Sequence, residues 1–191
     1  MWRLTPIDDE HFVQAFPSIA GKRPPSANDE PFFLRLLAKS PASMKAYLLA
    51  EEALGNGRLT LHQREEISLA VAEINGSNYC LATHELAGKQ AGLSDEEVTL
   101  ARKAWSNDAK TKAMLHFVQA VVLQRGEISD DDFSALRTAG FAEAEIIEIL
   151  ANVVLNIFTN YFNLLAQTDL DHPLSRPDWK DRPYNLPNQS A

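Results

Sequence analysis

Between Ile149 and Thr168 the chain carries no charged residue, yet Asn152, Asn156, Asn160, Asn163 and Gln167 recur every three or four positions. That is the period of an α-helix, so the amides form one stripe on a helix that is apolar on nearly every other side. Such a stretch could be mistaken for a membrane span, but an amide stripe placed in lipid without internal partners is too costly. The helix, predicted over 142–168, is expected to be buried in a soluble protein under more than one layer of chain, and neighbouring subunits are one source of that cover. Amides pairing across subunits, with Val153, Ile157, Phe158 and Tyr161 supplying apolar area, are the expected interface.

No segment alternates apolar and polar residues as a half-buried strand does, so the fold class is all-α, a multi-helix bundle. Residues 1–30 read as an arm with a short helix near Asp8 to Phe16, broken by Pro17, Gly21, Pro24 and Pro25. A helical domain spans 31–170. It opens with a short helix over 31–39 and continues with one capped by Ser40 and led by Pro41, whose inward face carries Met44, Tyr47 and Leu48. Thr60 with Gln63, and Ser94 with Glu97, form capping boxes. Asn107 is expected to cap a core helix that ends at Gly126, and Ser129 starts a short one that stops at Gly140. Residues 171–191, with prolines at 173, 177, 183 and 187, form an extended tail that could dock on a partner subunit through Trp179 and Tyr184.

The chemistry concentrates in 61–92. Asn75-Gly76 is a turn signal that ends one helix, and Ser77 is placed to cap the next, with its hydroxyl accepting from first-turn amides. Cys80, the only cysteine, then falls at the third helical position, where the helix dipole favours thiolate, so its pKa is expected below that of a free thiol. His84 follows four residues later on the same face. In the preceding helix Glu65 shares a stripe with Leu61, Leu69 and Ala72, which places it inward. Glu66, sharing a stripe with His62, Ala70 and Glu73, is expected on the wet face. An inward carboxylate needs a partner, and the face of Cys80 and His84 offers one once the helices fold back at Gly76. A lone cysteine is more often an inert small hydrophobe, and the metal alternative lacks ligands, since only Glu65, His62 or His116 remain to complete a zinc site. Neither a metal nor a cofactor is expected. His116 reads as a core or interface histidine.

Charge and cysteine count narrow the setting. With 18 basic against 26 acidic residues the net charge is -8, which disfavours a nucleic-acid partner. One cysteine excludes an internal disulfide, and the acids at Asp8 and Asp9 stand where a secretory signal needs an apolar core. A cytoplasmic protein with no membrane partner is expected.

Arg64, Glu65, Leu69 to Ala72, Asn75, Gly76, Tyr79, Cys80 and His84 together resemble the motif of the alkyl hydroperoxidase D-like and carboxymuconolactone decarboxylase-like proteins, in their peroxidase-related branch. That motif reads R-E-x-x-x-L-A-V-A-x-x-N-G-C-x-Y-C-x-x-x-H, and this chain departs from it with Ser77 at the first cysteine. Ala139-Gly140-Phe141, Glu145-Ile146 and the asparagine-rich final helix extend the likeness over roughly 30–170. The resemblance implies an all-α bundle assembled as a homo-oligomer (dimer, trimer or hexamer) and a thiol-dependent reduction of hydroperoxides. Carried over, Cys80 attacks the peroxide and Glu65 and His84 move protons; on this chain's own residues Ser77 is expected to cap the helix and donate to the thiolate, with Tyr79 and Asn75 standing behind. Because a hydroxyl cannot form a disulfide, an external thiol or dithiol has to resolve the oxidised cysteine. Two other readings stay open: acid-base lyase or isomerase chemistry by Glu65 and His84, and a non-catalytic oligomeric redox sensor.

Overall fold

The structure, a computed structural model, describes residues 3–8, 11–12 and 32–168. Its helices are α1 (Phe32–Leu37), α2 (Pro41–Gly55), α3 (Leu61–Asn75), α4 (Asn78–Ala91), α5 (Asp95–Arg102), α6 (Ala109–Leu123), α7 (Asp130–Thr138) and α8 (Glu143–Ala166), and no strand occurs among the described residues. The tail with Trp179 and Tyr184, and most of the predicted 8–16 helix, lie outside the described residues.

Local chemistry sets most of the boundaries. Ser40 Oγ accepts from the Ser43 N–H ahead of Pro41, and the boxes at Thr60/Gln63 and Ser94/Glu97 are both closed. Gly76 takes the left-handed conformation (φ 68°), and the bonds from Gly76 N–H to Glu73 O and from Ser77 N–H to Ala72 O make the turn a Schellman motif. One cap differs from expectation. Asp108, not Asn107, caps α6 by accepting from Thr111 N–H at 2.8 Å, while the Asn107 amide donates to Glu96. A carboxylate suits the positive end of a helix better than an amide does.

The centre of the bundle is α3, packed against α4, α5, α6 and α8. Consecutive residues from Glu66 to Ala72 are all buried, so the middle two turns of α3 are enclosed on every side. Around it Leu69, Val71, Leu81, Met114, Leu115, Val118, Ile149 and Val153 form the main core. A second cluster gathers Phe12, Phe33, Leu37 and Met44, with Ile7, Tyr47 and Phe162 against it. The described part of the arm is tied down as well: Ile7 N–H donates to Arg35 O, and the Arg35 guanidinium donates to Ile7 O.

The enclosure of α3 corrects the placement of Glu66, which is only 6% exposed rather than on a wet face. Burial, with the Glu97 and Asp108 carboxylates nearby, pushes its pKa up to about 7. In the unfolded chain it returns to about 4.3. Between those values the folded state binds the extra proton, so stability falls as pH rises through that window and the contribution of the neutral acid is lost above about 7. Glu66→Gln is expected to match the parent in thermal stability at pH 4 and to exceed it at pH 8 by on the order of 1–2 kcal/mol, allowing for solvent near the carboxylate. Equal melting temperatures at pH 8 would count against this account.

The amide stripe of α8 faces into its own subunit. Asn152, Asn156, Asn160 and Asn163 are buried, and the Asn152, Asn156 and Asn163 amides each donate to the carbonyl four residues back. Only Gln167 is exposed. Val153 is fully buried and Ile157 packs on the main core, so of the residues expected at an interface only Phe158 and Tyr161 face outward. The outward face is a different stripe, Ile147, Leu150, Val154, Phe158, Tyr161 and Leu165, whose members are 40% to 68% exposed. By length and composition α8 could cross a membrane. His116 is exposed and packs its ring against Trp105, so the core placement does not hold.

Candidate active site

Between the main core and the second cluster lies a cavity of about 710 Å³ to which Glu65, Cys80, His84, Tyr47, Tyr79 and Asn163 all contribute. The Schellman turn at Gly76 folds α4 back along α3, so residues 19 apart in sequence face each other. His84 Nδ1 lies 2.8 Å from Glu65 Oε2. With Nδ1–H donating to the carboxylate, Nε2 is left as the acceptor, the tautomer that suits a base. Both side chains are largely enclosed, at 24% and 13% exposure, which strengthens the pair relative to one in water. The helices approach closely one turn beyond His84, where a Cβ on Gly88 would sit 3.8 Å from Glu65 Cβ and 3.0 Å from Leu93 Cδ1.

Cys80 stands at the third position of α4, as its sequence predicts, but is almost fully buried. Burial pushes its thiol pKa up; the polar groups of Ser77, Asn163, Asn160 and Thr159 near the sulfur draw it back only in part. The expected depression of the pKa is thus overturned. Desolvation outweighs the helix end when a thiol leaves water. The direct donor to the sulfur is Asn163 Nδ2 at 3.3 Å, from α8.

Ser77 begins α4 in extended backbone geometry, but its side chain makes no capping bond. Its Oγ is buried without a hydrogen-bond partner, so the expected capping hydroxyl is corrected: it makes no cap and lies near the thiol instead. Asn75 bonds through Nδ2 to Asn160 Oδ1 at 3.0 Å, joining the end of α3 to α8 behind the sulfur, and Tyr79 lies in the cavity wall.

Several participants had no signal near the motif. Asn160 and Asn163 approach Cys80 from 80 and 83 residues away, and Tyr47 arrives on α2 with its phenol pKa raised by burial and the neighbouring Glu51 carboxylate. The amide periodicity of the last helix was the available clue for the first two; inward placement on α2 was the clue for Tyr47. Among the described residues no group of three or more His, Cys, Asp or Glu is arranged to hold a metal ion.

Residues 41–123 match the Carboxymuconolactone decarboxylase family. No curated protein matches the chain. Among solved structures, an uncharacterized peroxidase-related protein from Silicibacter sp. TM1040 is 21% identical, with 87% of this chain and 89% of that one covered at a TM-score of 0.71. An uncharacterized peroxidase-related protein from Ralstonia eutropha JMP134, described as an alkylhydroperoxidase AhpD core, is 21% identical over 90% and 88% of the two chains, also at 0.71. The debrominase Bmp8, solved with 2,3,4-tribromopyrrole, is 18% identical over 88% and 91%, at 0.75. At these identities the likeness establishes a shared all-helical fold.

Proposed function

For a chain whose residues 41–123 carry the carboxymuconolactone decarboxylase family pattern and whose fold is AhpD-like, we propose thiol-dependent reduction of organic hydroperoxides at Cys80. The observation that carries this reading is the Glu65–His84 pair at 2.8 Å sharing one cavity with the only cysteine. His84, oriented by Glu65, takes the Cys80 proton through the cavity. The sulfur then attacks the terminal peroxide oxygen, the S–O bond forms as the O–O bond breaks, and the leaving alkoxide receives the proton from His84. An external thiol of the cytoplasm displaces water from the resulting sulfenic acid, and a second thiol releases Cys80 as the free thiol together with a disulfide.

A cavity of about 710 Å³ walled by Phe33, Tyr47, Leu48 and Tyr79 is far larger than hydrogen peroxide needs. Bulky, apolar hydroperoxides should therefore be reduced with a lower KM than hydrogen peroxide. The test is titration with an aryl-alkyl hydroperoxide, followed by intact-protein mass spectrometry. One oxygen added at Cys80 and removed by a dithiol supports the reading; no uptake at one equivalent of peroxide sinks it.

Ser77→Cys places a second thiol three residues before Cys80 and is expected to raise multiple turnover with a dithiol donor. An internal disulfide under peroxide is the signature to look for. If the variant forms none and gains no activity, resolution is not what Ser77 limits.

A second reading rests on the aromatic cavity wall. One fold neighbour is named a debrominase; at this site the Cys80 sulfur would take the bromine as the C–Br bond breaks, His84 would protonate the ring carbon, and two equivalents of external thiol would release bromide and leave as a disulfide. Bromide release from a brominated pyrrole in the presence of a dithiol separates it from the peroxidase reading.

A further inference from the structure

Three polar atoms near Cys80 are buried without a partner: Ser77 Oγ, Asn160 Nδ2 and Asn163 Oδ1. Their residues are 1%, 0% and 4% exposed, so water does not satisfy them from bulk. An isolated orphan of this kind is costly, and three of them on residues that all act on one thiol call for a reason. Neighbouring bonds fix their orientation. Asn160 Oδ1 is occupied by Asn75 Nδ2 at 3.0 Å, which leaves Asn160 Nδ2 as the free end, and Asn163 Nδ2 is shared between Thr159 O at 3.0 Å and the sulfur at 3.3 Å, which leaves Asn163 Oδ1 free. Ser77 and Asn160 lie close enough to the thiol to favour its charged form, though neither closes a hydrogen bond of good geometry to it.

Two unused donors and one unused acceptor suit a hydroxyl oxygen, which accepts two hydrogen bonds and donates one. A thiol offers no such atom, but a sulfenic acid does. We propose that Ser77, Asn160 and Asn163 form a holding site for the oxygen of oxidised Cys80, so that the sulfenic acid is a stored state of this protein rather than a fleeting intermediate. This rests on the hydroperoxide reading for the oxygen's natural source: the sulfur gives two electrons to the O–O bond and keeps one oxygen, and the alkoxide leaves. Ser77 and Asn160 donate to the retained oxygen, and its hydrogen is donated to Asn163 Oδ1. The serine that removes internal resolution thereby supplies part of the cradle that makes waiting for an external thiol tolerable.

The test loads Cys80 of the full chain with one equivalent of an aryl-alkyl hydroperoxide and, separately, with excess hydrogen peroxide, which oxidises a reachable thiol without catalysis. The survival of sulfenic acid is then followed with dimedone and mass spectrometry, alongside sulfinic acid formation. Ser77→Ala, its fold checked by thermal melting, is expected to shorten that survival by on the order of tenfold, with Ser77→Thr restoring it. Slow loading by the organic hydroperoxide with a persistent sulfenic acid after forced oxidation keeps the holding site and sinks the peroxidase reading. Fast loading with survival unchanged in Ser77→Ala does the reverse. Absence of any oxygen on Cys80 after both treatments overturns both.

Discussion

Cys80→Ala is expected to reduce hydroperoxide turnover to the level of the uncatalysed reaction with the external thiol. No other sulfur nucleophile exists in the chain, since the remaining sulfurs belong to three methionines. Glu65→Gln should leave Cys80 oxidisable but slower, by on the order of 10²–10⁴, because the amide neither fixes the His84 tautomer as a carboxylate does nor stabilises the imidazolium that forms. The pair of variants also separates the proposed chemistry from the lyase or isomerase alternative. Acid-base catalysis needs Glu65 and His84 and has no use for the sulfur. Activity on a lactone that survives Cys80→Ala and disappears in Glu65→Gln would therefore decide for that alternative.

The second large effect is expected on assembly. We propose that copies of the chain associate along the outward stripe of α8, where Ile147, Leu150, Val154, Phe158, Tyr161 and Leu165 stand exposed in a row. Covering the part of each such side chain that is now exposed gains on the order of 1 kcal/mol, and a contiguous row of them on a free monomer is an aggregation hazard. Val154→Asp, at the middle of the row, should convert the assembly to monomer or precipitate. Asn156→Asp should not act through the interface, because Asn156 is buried inside its own subunit. Its carboxylate would lose the bond that the Asn156 amide now donates to Asn152 O. Sedimentation velocity on the parent and both variants checks this; a monodisperse parent monomer at micromolar concentration would remove the proposal.

What the sequence conveyed was mostly local. Caps at Ser40, Thr60, Ser94 and Ser129, and the left-handed turn at Gly76, depend on neighbours a few residues away, and each was readable. The Glu65–His84 pair was readable too, because a single short turn relates the two helices. Stripe reasoning puts Glu66 on a wet side, but the middle of α3, from Glu66 to Ala72, is wrapped by four neighbours and has none. The amide stripe was assigned to the wrong partner for a similar reason. Periodicity shows that the asparagines share a face, but not whether that face meets its own subunit or another. The Asn163–Cys80 bond spans 83 residues, and no local pattern announces it. The thiol pKa reversed because its helix position is a local property, whereas its burial is set by the whole bundle.

One rod, α8, carries Asn163, which donates to the sulfur, and Asn160 beside it on one side, and the exposed apolar row on the other. If association along that row shifts the rod even slightly on its axis, Asn160 and Asn163 move with respect to a sulfur anchored on a different helix. The rate at which Cys80 reacts then becomes a function of dilution, with mass action setting the thiol's environment.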